Sequence, residues 1–354
     1  MIALFRIVCV GMLLAHGATA QPQREDFSSY GPPDAETRVL VRGTTDIALF
    51  APVLEAFVAQ RSGMRIDYEQ WSSNDLYLVT EAECRAGQSL AALVVSSSID
   101  QQVKLANDGC ATAHRSTETG QLPPVANWRD EVFGITREPA VIVYNAATIG
   151  TAQPPRSRFD LIDLLRPEES PLRGRVATYD IEVSGLGYLF AFADAQQATT
   201  FGSLIEAFGR SGAVASCCST DLIDGVADGR YLISYNVLGS YALARAMENP
   251  DLVVVAPNDY TLVLSRAALI PRHAPDAETA GALVDYLLSE DGTAVLRAAN
   301  LIVNTSGDQQ SLLRLPENPE VSLRPIALSP ALLVGLDRHK RKAFIARWRA
   351  TFAQ

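Results

Sequence analysis

Residues 39–46 read Val39-Leu40-Val41-Arg42-Gly43-Thr44-Thr45-Asp46. The apolar start predicts a strand, and the glycine and hydroxyl residues after it predict a turn. Beyond the turn Ile47, Phe50, Val53, Leu54, Phe57 and Val58 recur at three- and four-residue steps. That spacing is one face of an amphipathic helix, with Thr44, Thr45 or Asp46 as its N-cap and Gly63 as its stop. A second unit follows: strand Met64–Tyr68, turn Trp71–Asn74, helix Asp75–Arg85. A third has strand Ala92–Val95, the triplet Ser96-Ser97-Ser98, and a helix through Leu105. Strands and helices alternate without tight hairpin signals, which predicts an α/β sheet with crossover connections.

The second half repeats the pattern. Ala140–Tyr144 is a continuous apolar run suited to a buried strand, and Thr151–Arg158 reads as a linker. Arg175–Thr178, Tyr231–Ser234, Leu252–Ala256 and Thr261–Leu264 are extended, and Ser184-Gly185-Leu186-Gly187 opens a helix. At the end of the chain Phe344, Ile345, Trp348 and Phe352 form an apolar stripe at helical spacing, as in a docked terminal helix.

The first twenty residues stand apart. Met1–Ala20 combines Arg6, an apolar run and Ala18-Thr19-Ala20, the layout of a cleaved export signal. Gln21–Glu36 is polar and reads as a flexible leader. The whole chain of 354 residues carries a net charge of −10, which argues against nucleic acid as a partner. Six of its cations lie in the tail Asp337–Gln354, where attraction to the acidic body is the simplest reading. After export Cys84, Cys110, Cys217 and Cys218 remain. In an oxidising compartment an even count invites disulfides; of the three possible pairings Cys84–Cys110 with a vicinal Cys217–Cys218 pair is the preferred one, and four free thiols are the alternative.

Catalytic hardware is nearly absent from the sequence. It contains no GxSxG, HExxH or phosphate-loop motif, and His114, His273 and His339 are scattered, which predicts no metal site. What recurs is a hydroxyl- or glycine-rich turn between strand and helix: Gly43–Asp46, Trp71–Asn74, Ser96–Ser98 and Ser184–Gly187. Each turn gathers unpaired N–H groups at the positive end of a helix dipole. Several facing one crevice would hold an anion or a polyhydroxyl compound without a lysine. Helix capping is the competing explanation for any one of them.

The order of these pieces, with Glu138–Asn145, Gly229–Asn236, Pro257–Val263 and Asp285–Gly292, resembles the type 2 periplasmic solute-binding proteins of ABC transporters. The similar branch includes ferric-iron, phosphosugar and aminophosphonate binders. The resemblance implies a two-lobed α/β fold with two crossover strands forming a hinge. Residues 38–136 and 261–310 would form lobe 1, residues 137–260 lobe 2, and residues 311–354 a helical segment packing back on both. The second crossing is expected near Val254–Leu264.

By the same resemblance Thr44, Thr45, Trp71, Ser73, Ser97, Ser184, Gly185, Tyr235, Asn236 and Tyr260 would line the cleft, with no cofactor. The implied function is capture of a small polar or anionic solute in the periplasm by a monomer that serves an ABC permease. A sensor histidine kinase is the alternative partner. An enzyme using Cys217 or Cys218 ranks lower. So does a ferric-iron binder, because Tyr235-Asn236 stands where iron-binding relatives have two adjacent tyrosines.

Overall fold

The protein is described by a computed structural model over residues 21–149, 154–303, 313–315 and 322–352. The expected export signal lies outside the described residues, as do residues 151–153 of the linker. The chain opens with β1 (Arg24–Tyr30), β2 (Thr37–Gly43), α1 (Ile47–Ala59), β3 (Met64–Trp71), α2 (Ser73–Arg85), β4 (Leu93–Ser96) and α3 (Ile99–Asn107). A short α4 (Thr117–Gly120), β5 (Asn127–Trp128) and β6 (Val132–Gly134) complete this pass.

The next stretch runs β7 (Glu138–Asn145), α5 (Arg158–Leu165), β8 (Val176–Tyr179), α6 (Gly185–Gln197), α7 (Thr200–Ser211) and β9 (Val214–Ser216). It continues through α8 (Ser219–Ala227), β10 (Ile233–Leu238), α9 (Gly239–Glu248), β11 (Leu252–Val255) and β12 (Thr261–Leu264). Then β13 (Ala267–Leu269), α10 (Ala277–Leu288) and α11 (Glu290–Ala298) return to the first lobe. Finally β14 (Leu313–Arg314), β15 (Leu323–Pro325) and a C-terminal helix, Arg338–Phe352, lie against the second.

Each lobe is built on one sheet. The first has strand order β1-β3-β2-β4-β13-β6-β5. The second runs β14-β11-β7-β10-β8-β9, with β12 and β15 attached beside the start of β7. Phe50, Leu54, Phe57, Ile66 and Tyr68 anchor the core of the first lobe; Leu204, Phe208, Ile233 and Trp348 anchor that of the second. The apolar stripe of the terminal helix packs there: Trp348 stacks on Phe352 at 4.7 Å, and Phe344 meets Phe192, Phe201 and Tyr188.

The structure departs from the sequence reading in three places. Residues 21–37 contain β1, which pairs antiparallel with β3 from Arg24 opposite Trp71 to Tyr30 opposite Ile66. This strand covers what would otherwise be the open edge of β3. Most of its side chains stay exposed, so it carries no apolar period to read. The second crossing also falls later than expected. Leu252–Val255 and Thr261–Leu264 both belong to the second sheet, and the chain passes to β13 through Ser265–Arg266. The first crossing is Ile135–Arg137, between β6 and β7. Last, residues 311–354 are partly extended, because β14 and β15 each add to the second sheet in parallel.

Both favoured disulfides are present. Cys84–Cys110 ties the end of α2 to the segment after α3, and Cys217–Cys218 immediately precedes α8. The bonded pair removes the thiolate that a nucleophilic role would need.

Helix α3 is buried against the turn Leu333–Leu336 near the C-terminus, and it carries Asp100 into that contact at 3% exposure. Burial raises the Asp100 pKa to about 7, opposed by backbone N–H groups and by Arg341. A native carboxyl held above its unfolded value contributes stability when protonated. That contribution is complete in acid and is lost as pH rises through about 7. Asp100→Asn is therefore expected to gain thermal stability relative to the parent on going from pH 4.5 to pH 8, as read by melting curves across that range.

Candidate functional site

Between the sheets lies a cavity of about 90 Å³, room for on the order of half a dozen waters. Its walls are the first residues of six helices. The first lobe supplies Thr44 and Asp46 before α1, Ser72 and Ser73 at α2, and Ser97 before α3. The second supplies Ser184 and Leu186 at α6, Cys217 to Thr220 at α8, and Leu238 and Tyr241 at α9. The alternation of strand and helix causes this convergence: every strand pointing at the crevice hands the chain to a helix that starts there. Orphan N–H groups and positive dipole ends therefore gather from both lobes. Glu25, Trp71, Tyr179, Val183 and Arg266 complete the lining.

Two of these turns cap their helices in the ordinary way. The Ser72 hydroxyl accepts from the Asp75 N–H and the Ser184 hydroxyl from the Gly187 N–H, each at 3.1 Å. Asp46, the N-cap of α1, makes no such bond. Its carboxylate instead reaches across the cleft. Oδ1 accepts from the Tyr241 hydroxyl and Oδ2 from the Thr220 hydroxyl, both at 2.9 Å, while the Asp46 N–H donates to Tyr241 Oη at 3.0 Å.

Two more contacts join the lobes. The Gly185 N–H donates to Ser73 Oγ at 2.9 Å, and Asn74 Nδ2 donates to the Val183 carbonyl at 2.8 Å. A Cβ on Gly185 would stand 2.6 Å from Ser98 Oγ and 2.9 Å from both Gln101 Nε2 and Ser73 Oγ, so a larger residue would have to displace these side-chain ends across the lobe contact.

Behind the cavity lies the hinge. Arg266, from the second crossing, is 1% exposed, and Glu138, at the end of the first, is fully buried. Arg266 Nε donates to Glu138 Oε1 at 2.8 Å and Nη2 to Oε2 at 3.3 Å. Thr136 donates to Glu138 and accepts the Arg266 N–H, and the Ser240 hydroxyl of α9 donates to Glu138. Burial is the largest single influence and disfavours the Arg266 charge, but Glu138, Tyr241 and Tyr68 together outweigh it and hold the guanidinium above its usual value. Arg266 Nη1 also donates to Thr45 Oγ1 at 3.0 Å.

Of the residues expected to line the cleft, Thr44, Trp71, Ser73, Ser97 and Ser184 do so, and Gly185 stands at the lobe contact. Thr45 is fully buried behind the wall, held by Arg266 and by the Tyr68 hydroxyl on its carbonyl. Tyr235, Asn236 and Tyr260 do not reach the cavity. They surround Asp194, which is buried in lobe 2 and ion-paired to the equally buried Arg158 at 2.8 Å.

The Tyr235 hydroxyl donates to Asp194 at 2.6 Å, Tyr260 at 3.1 Å and Asn236 Nδ2 at 3.2 Å. A fully buried ion pair demands such donors, and nothing near Tyr235 or Tyr260 in sequence announces Arg158 or Asp194. Burial pushes the Tyr235 phenol well above its usual pKa, with Arg158 opposing, and its hydroxyl is committed to Asp194 away from the cavity. Among the described residues no group of histidine, cysteine and carboxylate side chains is arranged to hold a metal.

Sequence reading missed Glu25, Tyr179, Thr220, Tyr241 and Arg266, and took Asp46 for a cap. Glu25 lay in the supposed leader. Tyr241 had a readable signal, since it sits in the first turn of a helix that leaves a strand. Arg266 had none.

Comparison with known proteins places this geometry. The family model described as bacterial extracellular solute-binding protein matches residues 38–299. The substrate-binding protein of an ABC transporter from Agrobacterium tumefaciens is 32% identical, with a TM-score of 0.85 over 94% of this chain and 100% of that one. The periplasmic binding protein AfuA from Actinobacillus pleuropneumoniae, solved with fructose-6-phosphate, is 17% identical, with a TM-score of 0.71 over 90% and 99%. A periplasmic thiamin-binding protein is 14% identical, with a TM-score of 0.69 over 92% and 99%. The last two share the fold. A search of curated proteins gave no significant match.

Three variants check the geometry. Arg266→Met alone is expected to lower unfolding free energy by about 3–5 kcal/mol by leaving Glu138 buried without its partner. The Arg266→Met/Glu138→Gln double substitution should cost much less; urea unfolding of the three proteins measures both. Gly185→Ala is expected to hold the lobes apart, seen as a larger radius of gyration in solution scattering.

Proposed function

Because the chain belongs to the bacterial extracellular solute-binding protein family, we propose that it captures one small polar or anionic solute in the cavity between its lobes and delivers it to an ABC permease. The observation that carries this reading is the convergence of six helix starts, three from each lobe, on one cavity. Thr44, Ser73, Ser97 and Ser184 would donate to the solute with the neighbouring backbone N–H groups, and Trp71 would cover one side. The first twenty residues support export through a cleaved signal.

Closure is the step a permease can read. Asp46, Tyr241 and Thr220 join the lobes only when the two sheets approach, so solute contacts to both walls add to a latch the protein already has. The cavity volume limits the solute to a compact molecule. A sensor kinase would use the same cleft, but the family match and the Agrobacterium relative point to transport.

The test is a thermal-shift screen of the exported chain against sugars, sugar phosphates, phosphonates, amino acids and metal ions. A true solute at 100 times its dissociation constant should add about 2.7 kcal/mol of native stability. The same solute should reduce the radius of gyration in solution scattering, and Asp46→Asn should weaken both effects. A solute that stabilises without compaction would argue against binding between the lobes.

A further inference from the structure

The charges facing the cavity bear on what it holds. Three ionisable side chains other than tyrosine line it: Glu25, Asp46 and Arg266. Arg266 offers no uncompensated charge, because it is ion-paired to Glu138 and donates further to Thr45 Oγ1 and the Thr44 carbonyl. Asp46 is met by two neutral hydroxyls and Glu25 by one neutral amide, Gln70 Nε2 at 3.2 Å. Among the described residues neither carboxylate has an ion-pair partner.

Glu25 is exposed on β1, yet partial desolvation raises its pKa, Gln70 opposes this, and the charges of Asp46 and Asp75 raise it further. Like charges without a counter-ion therefore face a space whose other wall is N–H and O–H donors. A purely anionic solute would meet the donors but be repelled by Glu25 and Asp46. A simple cation would meet the carboxylates and oppose six positive helix ends.

We infer that the solute is a small zwitterion: an anionic or strongly accepting group rests on the helix starts, and an ammonium-class group lies against Glu25 and Asp46. The inference rests on the cavity being the solute site, and it narrows the class that site accepts. It gives strand β1 a role beyond covering the edge of β3, since β1 carries Glu25 to the cavity. A divalent cation is the competing occupant of the carboxylates, but among the described residues no third carboxylate, histidine or cysteine is grouped with them to hold a metal.

Titration calorimetry of the exported chain with matched solute pairs tests this. The pairs are phosphoethanolamine with ethyl phosphate, glucosamine 6-phosphate with glucose 6-phosphate, and taurine with ethanesulfonate; magnesium and calcium are titrated alone. In at least one pair the amino member should bind about tenfold tighter or more. Glu25→Gln should erase that advantage, with the member without nitrogen binding as tightly as before or tighter once the repelling charge is gone, and Asp46→Asn should reduce it.

Equal binding within every pair, or an amino advantage that survives in Glu25→Gln, overturns the inference while the receptor reading stands. Binding of magnesium or calcium alone, abolished by Glu25→Gln, overturns it in favour of a cation site. If no member of the panel binds, the zwitterion class is wrong, and the wider thermal-shift screen judges the receptor reading separately.

Discussion

The Arg266–Glu138 pair is the constraint on which the two-lobed arrangement depends. The chain passes between the sheets at Ile135–Arg137 and at Ser265–Arg266, and these two passages would be free to slide if only backbone joined them. The Ile135 N–H donates to the Arg266 carbonyl at 2.9 Å, and the buried ion pair then fixes the register of the side chains. Removing two charges from water is costly, and their mutual attraction offsets this only with good geometry and satisfied remaining donors. Here Thr136, Ser240 and Thr45 supply that satisfaction. Ser240 begins α9 and Thr45 precedes α1, so the pair aligns a helix start from each lobe.

Recognition by helix starts rather than by lysines follows from the same architecture. A flexible ammonium would have to be ordered on each closure, at a cost in side-chain entropy. Backbone N–H groups at a helix terminus are ordered already. The closing contacts are likewise small and rigid: a serine hydroxyl against Gly185, and an aspartate against a tyrosine and a threonine. Asp46 shows how one residue can be diverted. Its position in sequence is that of a cap, yet its carboxylate makes no capping bond; the Ile47 N–H donates to Gln70 Oε1 instead, and the Asp46 carboxylate bridges the lobes.

The Arg158–Asp194 cluster has a different effect. It draws Tyr235, Tyr260 and Asn236 into the interior of lobe 2 and ties α5 to α6 and to the segment before β12 through Asp259. That network holds the second lobe as one rigid body, a condition for hinge motion to move helix starts rather than deform them. It also removes from the cleft the tyrosine that the iron-binding comparison depends on.

Local chemistry alone determined the α/β class, the helix face from Ile47 to Val58, the hydroxyl turns and the apolar stripe of the terminal helix, because each is written within a few residues at a fixed period. Five cleft-lining residues, Thr44, Trp71, Ser73, Ser97 and Ser184, lie in or beside those turns, but it is the family resemblance that places them in a cleft; the even cysteine count points to disulfides without choosing among three pairings. Tertiary structure alone decided the rest. Strand β1 has no apolar alternation, so only the open edge of β3 gives it a place. Tyr235 and Tyr260 carry the same polar handle in a core as in a cleft, and the buried Asp194 chose between them. Arg266 and Glu138 lie 128 residues apart, and a buried charge announces its partner only once the chain has brought the two together.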